Sequence, residues 1–394
     1  MSGKSIKVLA TGEGWPTQEA GGLNTYYQSI CETLGLRHHV EALVCCHRPP
    51  EKAAGKLKLF SIASPKETMS IRQQAFRQYA KDRMKSNEVD LVYTHFAPYG
   101  LGPALEAKKR NIPVVMSFHG PWAEEMKLEG SGAKLKLKAL VAKRIEMKMY
   151  RTADRIIVLS GHFRDLLHEK YEVPLEKIHV VPGAVDTERF QPAPSKRSVR
   201  SQLLLPENRL VVLTVRRLVH RMGIIQLIEA WNEVIKAVPN ALLLIGGKGP
   251  LEEELKRKIQ SHGLENHIQL LGYVKDEQLP LYYQAADLFV VPTQALEGFG
   301  LITVEAMASG LPVAATPVGG NREILEGFHP PFLFKGTSSH DMAEGLIPIL
   351  KHPESWPSAA SCRAYVCSRF TWGNTAREVD QVFELALQDK GVIV

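Results

Sequence analysis

The chain of 394 residues, 44% hydrophobic and 23% charged, is too long for one small core and suits two domains of ordinary size. This composition excludes a disordered or fibrous protein. A formal net charge of +7, with aromatic residues at 7% and no interleaving of aromatics in a basic groove, argues against a nucleic-acid partner. No apolar stretch approaches the ~20 residues needed to span a bilayer. The first strand-like run, "IKVLAT", is too short for a signal-peptide core, and Ser2 stands where myristoylation requires a glycine. The protein is therefore expected in the cytoplasm. Five cysteines without ligand spacing are expected to be reduced, and no HExxH, CxxC or calcium-loop pattern marks a metal site.

In chain order, "IKVLATGEGWPTQEAGGLNTYYQSICETLG" predicts a strand, a glycine-bearing loop and a helix with Leu23, Tyr27, Ile30 and Leu34 on one side. The strand-like runs "DLVYTH" and "IPVVMSFHG" follow. Residues 127–155 then read as one basic amphipathic helix, in which nine basic side chains stand against three acidic ones, Glu129, Glu146 and Asp154. Leu137, Leu140, Val141, Ile145 and Met149 recur there at helical spacing, so the stripe either packs on its own domain or presses on an anionic surface. "RIIVLSGHFRDLL" and "IHVVPGAVD" complete the first half, and the Pro-rich "DTERFQPAPSKRSVR" reads as a hinge.

The second half repeats the same grammar from "RLVVLTVRRLVHRMGIIQLIEAWNEVI" through "ALLLIGGKGPLEEELKRKI" and "IQLLGYV" to "PVAATPVGG". Continuous apolar strands alternating with helices predict parallel sheets covered on both faces. The expected fold class is α/β, with two doubly wound parallel-sheet domains facing across a cleft. We divide the chain into 1–188, 189–370 and a last helix at 371–394 crossing back to the first domain. Ligands are expected at the carboxyl ends of the strands.

The segment "EGFGLITVEAMASG" holds two glutamates, Glu297 and Glu305, eight positions apart, one on a loop and one on the helix that follows. The free N–H groups of the first helical turn, near Phe299, Gly300 and Leu301, form a ready anion site. A carboxylate accepts two hydrogen bonds, which suits a sugar diol. A diphosphate at the helix start with a sugar on either side describes a nucleotide-sugar. The bland alternative makes Glu305 a surface residue and Glu297 a charge favoured by the helix dipole. Arg217 emerges at the end of "VVLTV" with Arg221 one turn on, both suited to phosphate or else solvated. Gly21 and Gly22 sit at a strand-to-helix turn. His119 follows "IPVVMSF", where it is either structural or a cleft residue.

"EGFGLITVEAMASGLPVAATPVGG", with "HGPW", "VVPGAVDTERF", "RRLVHRMG", "IGGKGPLEEEL" and "LLGYV" in this order, resembles the retaining glycosyltransferases of family four, which have the two-Rossmann GT-B fold. The resemblance implies transfer of a sugar from a nucleotide donor with retention of anomeric configuration and without a bound metal or other cofactor, the donor being UDP- or GDP-linked. It places Glu305 on the ribose hydroxyls and Glu297 on the donor sugar. Backbone amides of Phe299, Gly300 and Leu301, with Arg217, fall on the diphosphate. It sets Tyr273 and Val274 beside the base, His119 along the sugar pocket, and Gly21 and Gly22 over the donor. The catalytic set implied is Glu297, His119 and Arg217. Where the family carries lysine this chain has Met222, and Arg221 beside it is expected to take over that role.

The leaving diphosphate is expected to do much of the base work, with Glu297 positioning the sugar. Two competing readings are a nucleotide-sugar epimerase on the same fold and a subunit that binds nucleotide-sugar without catalysis. The acceptor, whether glycan, lipid-linked or small molecule, is not legible, and the basic segment offers peripheral contact with the inner membrane face.

Overall fold

The computed structural model describes residues 4–16, 21–47, 55–129 and 132–392. The chain divides into two compact units, one running to Ala184 and resuming at Trp372, the other spanning Val185–Thr371. The first holds β1 (Lys7–Thr11), β2 (His39–Cys45), β3 (Leu57–Ala63), β4 (Leu91–Thr94), β5 (Val114–Phe118), β6 (Arg155–Val158) and β7 (Ile178–Val180). The second holds β8 (Leu210–Val215), β9 (Ala241–Gly246), β10 (Ile268–Gly272), β11 (Leu288–Val291) and β12 (Val313–Ala315).

Every strand pairing is parallel. The orders are β3-β2-β1-β4-β5-β6-β7 and β10-β9-β8-β11-β12. The apolar strands are continuous because helices cover both faces: all six residues of β9 and all five of β5 are buried. The strand order of each sheet reverses once, between β1 and β4 in the first unit and between β8 and β11 in the second. Loops diverge at such switch points and leave a crevice at the strands' carboxyl ends.

The last helix, Trp372–Gln388, belongs to the first unit. Phe383 meets Tyr93 of β4 edge-on at 5.0 Å. Asp380 accepts from Arg37 Nη1 at 2.8 Å and pairs with His38 Nε2 at 2.9 Å.

The Pro-rich segment expected to be a hinge starts beside the boundary between the units, and its last residues fold onto the second unit. Ser195 caps the helix Lys196–Gln202, and buried Arg200 donates to Ala285 O at 2.8 Å and to Asp287 Oδ2 at 2.5 Å. The basic segment also departs from expectation. It contains a first helix, Trp122–Glu129, and a second, Ala133–Thr152, with residues 130–131 outside the described set. The buried face of the second helix is made by Ala139, Ala142, Glu146, Met149 and Tyr150, whereas Leu137, Leu140 and Val141 point outward. Small alanines face inward because the helices Ala97–Lys108 and Trp122–Glu129 pack closely there.

Glu146 is not one of the solvated charges. It is buried and accepts from the backbone N–H groups of Trp122 at 2.7 Å and Ala123 at 3.2 Å, capping the start of the first helix. Burial pushes its carboxyl up to about 7. All five cysteines are free thiols. Among the described residues no helix is long and apolar enough to cross a membrane.

Candidate active site

The loop leaving β11 at the second switch point carries residues 292–300 into the helix Leu301–Ala308. Leu296 adopts a left-handed φ of 56°, a strained conformation for a leucine that sets the direction of the next residue, Glu297. Gly300 caps the helix at φ 99°, where a Cβ would come within 2.2 Å of Asn321 Oδ1, so only glycine fits. Gly319, at φ 57°, lets the chain pack on this loop, since a Cβ there would lie 1.8 Å from Glu297 O. Gly320 N then donates to Glu297 O at 3.2 Å. The paired glycines of "PVGG" therefore brace the loop that presents Glu297. Among the described residues the backbone N–H groups of Phe299, Gly300, Leu301 and Ile302 have no acceptor, leaving an open anion site at the helix start.

The two glutamates are held alike. Glu297 Oε2 receives Arg216 Nη2 at 2.6 Å and Thr293 Oγ1 at 3.0 Å, and Arg216 Nη1 donates to the same threonine hydroxyl at 2.6 Å. Glu305 Oε2 receives the buried Tyr283 hydroxyl at 3.1 Å. Neither Oε1 has a hydrogen-bond partner among the described residues, so each acid offers one oxygen to a ligand. Burial pushes the Glu305 carboxyl up to about 7, against the Tyr283 hydrogen bond and the charge of Arg189.

The turn after β8 abuts the same loop. Gln294 N donates to Arg221 O at 2.8 Å, and Arg221 Nη1 lies 3.4 Å from Leu296 O, one residue from Glu297. Met222 is turned into the hydrophobic core, so this position presents no side chain to a ligand. Arg217 is exposed beside the switch point. At the end of β10, Tyr273 is exposed with Lys248 Nζ 5.6 Å from its ring centre, and Val274 is buried against Gly246.

His119 and the glycine turn belong to the first unit. His119 follows β5, and its Nε2 lies 3.1 Å from Nδ1 of His95, which sits at the first switch point with its backbone N–H on Thr11 O at 2.9 Å. Burial pushes His119 down to about 3 and His95 well below the usual imidazole range, so both rings are neutral and one donates to the other. Gly21 and Gly22 open the helix Gly22–Leu34, while residues 17–20 of their loop lie outside the described set.

The structure brings Glu297, Arg221, Phe299, Gly300 and Leu301 together around one loop, with Glu305 on the helix it opens into. Sequence reasoning missed Arg216, Thr293, Tyr283 and His95. Alternation continuing from β8 offered only a partial signal, that one of the two consecutive arginines turns toward the β11 loop, without saying which.

Two family models divide the chain between them. "Glycosyltransferase Family 4" matches residues 20–189 and "Glycosyl transferases group 1" matches residues 195–366. The D-inositol 3-phosphate glycosyltransferase of Kineococcus radiotolerans is 28% identical over 415 aligned positions, covering 95% of this chain and 92% of that protein. The mannosylfructose-phosphate synthase of Agrobacterium fabrum is 33% identical over 245 residues, 59% of this chain and 53% of that protein, so the match spans about half of that relative's length. Among solved structures, the sucrose-phosphate synthase of Thermosynechococcus elongatus superposes with a TM-score of 0.78 at 22% identity, covering 97% of this chain and 100% of that one. With two parallel-sheet units in doubly wound order and both halves matched, the chain belongs to the family-four type of glycosyltransferase with the GT-B fold.

Proposed function

We propose that the protein transfers a hexose-type sugar from a nucleotide-sugar donor to an acceptor hydroxyl with retention of anomeric configuration and without a metal ion. The observation that carries this reading is the open helix start at Phe299–Leu301 with one free carboxylate oxygen on Glu297 and one on Glu305. In this reading the diphosphate rests on those N–H groups and on Arg217 and Arg221, Glu305 takes the ribose diol, and Glu297 takes a hydroxyl of the donor sugar. Exposed Tyr273 and the backbone of Val274 flank the base. His119, Gly21 and Gly22 keep the donor-side roles that the family resemblance gives them. The acceptor oxygen bonds to the anomeric carbon on the face the diphosphate leaves. The C–O bond to that phosphate breaks, and the acceptor proton passes to the departing phosphate oxygen. The cationic groups stabilise the charge developing there.

A thermal-shift screen of UDP-, GDP- and ADP-sugars identifies the donor, since a ligand of the folded state stabilises it by mass action. Transfer to acceptor in the presence of a chelator, with NMR of the product's anomeric proton, then tests retention and metal independence. Epimerised donor in place of a glycoside, or no turnover despite tight nucleotide binding, overturns the proposal. Arg221→Ala should weaken donor affinity; an unchanged Kd would remove Arg221 from the phosphate site.

We also infer peripheral contact with an anionic lipid surface through the helix Ala133–Thr152. Leu137, Leu140 and Val141 stand 64%, 47% and 49% exposed on its outer face among Lys134, Lys138, Arg144 and Lys148. An apolar ridge with cationic flanks matches the interfacial helix pattern. Co-sedimentation with vesicles containing phosphatidylglycerol, lost in Leu137→Glu/Leu140→Glu, supports it. Equal binding to pure phosphatidylcholine, or self-association abolished by the same substitutions, contradicts it.

A further inference from the structure

The geometry points to Arg216, acting with Thr293, as the positioning residue that presents Glu297 to the donor sugar and keeps it from acting as a nucleophile. The inference rests on the sugar-transfer reading given above, and it concerns a residue that neither the motif spacing nor the family resemblance marks.

Arg216 is the first residue beyond β8, at the switch point. Its backbone is fixed on both sides: its N–H donates to Gly246 O at 2.9 Å, and its carbonyl is packed so tightly that a Cβ on Gly247 would lie 1.8 Å away. The side chain turns toward the β11 loop and is only 6% exposed, facing a Glu297 side chain that is 13% exposed. Among the described residues its only carboxylate partner is Glu297. The three groups close a ring. Arg216 donates one N–H to the Thr293 hydroxyl at 2.6 Å and another to Glu297 Oε2 at 2.6 Å, and Thr293, itself fully buried, donates its O–H to that same oxygen at 3.0 Å.

Three consequences follow from the chemistry. Two donors saturate Oε2, so the carboxylate cannot rotate without breaking a buried charge-assisted bond. Oε1 is left as the single acceptor, aimed by a fixed backbone and a fixed rotamer. The guanidinium also balances the carboxylate's charge, which lowers its nucleophilicity toward the anomeric carbon while leaving its ability to accept from a hydroxyl. Arg216 therefore acts through Glu297 and touches no substrate atom. In the sugar-transfer reading Arg217 and Arg221 serve the diphosphate, so the tandem arginines divide into one for the acid and one for the phosphates.

The test uses the full chain and the donor identified by its thermal shift. Arg216→Met keeps length and loses both donors, Thr293→Val removes the hydroxyl at constant shape, and Arg216→Lys keeps the charge without the fork. Removing one member of a buried pair leaves the other uncompensated, so Arg216→Met/Glu297→Gln, which removes both charges, guards against simple unfolding. We expect Arg216→Met to lower kcat by about 100-fold with donor KM changed less than about threefold, as for loss of near-attack geometry. Thr293→Val should fall between it and the wild type, and the double variant should be no worse than Glu297→Gln alone. Wild-type transfer with a near-normal kcat in folded Arg216→Met, or losses that multiply in the double variant, overturns the assignment. Absence of transfer by the wild type itself would instead sink the sugar-transfer reading.

Discussion

Glu305 carries the clearest pH signature of any single residue in the site. Its carboxyl is pushed up to about 7 by burial, so near neutrality it is only partly ionised before a ligand arrives. An ionised carboxylate is the stronger acceptor for ribose hydroxyls. Donor affinity should therefore rise as pH increases through about 7, and Glu305→Gln should bind more weakly with that dependence gone. Calorimetric titration between pH 6 and 8 reads both, and a parallel dependence in the variant would remove Glu305 from the nucleotide. Gly300 makes a second prediction. At φ 99°, with Asn321 Oδ1 where a Cβ must go, Gly300→Ala should cost more than about 1 kcal/mol in chemical denaturation and also displace the N–H groups of the helix start. The two glutamates and the glycines were readable from spacing, and Met222's departure from what the family resemblance implies. The choice between Arg216 and Arg217 was not, because it depends on the register of β8 against β11, which pairs Leu288 with Val212 and Phe289 with Leu213 and is set by contacts far apart in sequence.

At the scale of elements, the alternation of apolar runs with helical patterns made most of the strands legible, since a parallel sheet buried on both faces leaves continuous hydrophobic stretches; β3, whose burial alternates along Leu57–Ala63, was not among them. In the helix Ala133–Thr152 the apolar stripe splits, with Met149 buried and Leu137, Leu140 and Val141 exposed. Hydropathy ranks leucine above alanine, yet the side facing its own domain is built from Ala139 and Ala142, because close helix approach needs small side chains and a buried acid to cap a neighbour. Glu146 supplies the test. Its folded carboxyl lies at about 7, above the unfolded value near 4.5, so the fold binds the proton more tightly than the unfolded chain. Its contribution is complete below about pH 4.5 and is lost as pH rises through 7, by roughly 3 kcal/mol from a shift of this size. Denaturation midpoints from pH 5 to 8 should fall more steeply in the wild type than in Glu146→Gln, which keeps an acceptor for Trp122 N–H without the charge. Equal slopes would mean that this cap does not titrate in the fold.

For the molecule as a whole, two sheets share one winding order, and each reverses at a point where an acid–base or aromatic cluster gathers. In the first unit that point holds His95 with Tyr26, Tyr27 and Tyr93 around its ring. In the second it holds Arg216, Thr293 and Glu297. Length and strand grammar sufficed to predict two such units, because each needs its own core. The Pro-rich segment read as a hinge starts beside the boundary of the two units at Ala184 and Val185, and Arg200 with its partner Asp287 anchors its far end to the second unit.

The most direct measurement is a crystal structure of the protein with an intact nucleotide-sugar or its non-transferable analogue. The account predicts the diphosphate on the backbone N–H groups of Phe299, Gly300 and Leu301, Glu305 Oε1 on the ribose, and Glu297 Oε1 on the sugar with Oε2 still held by Arg216. A donor seated elsewhere, or bound there with Glu297 released from Arg216 and bonded to the anomeric carbon, would contradict it.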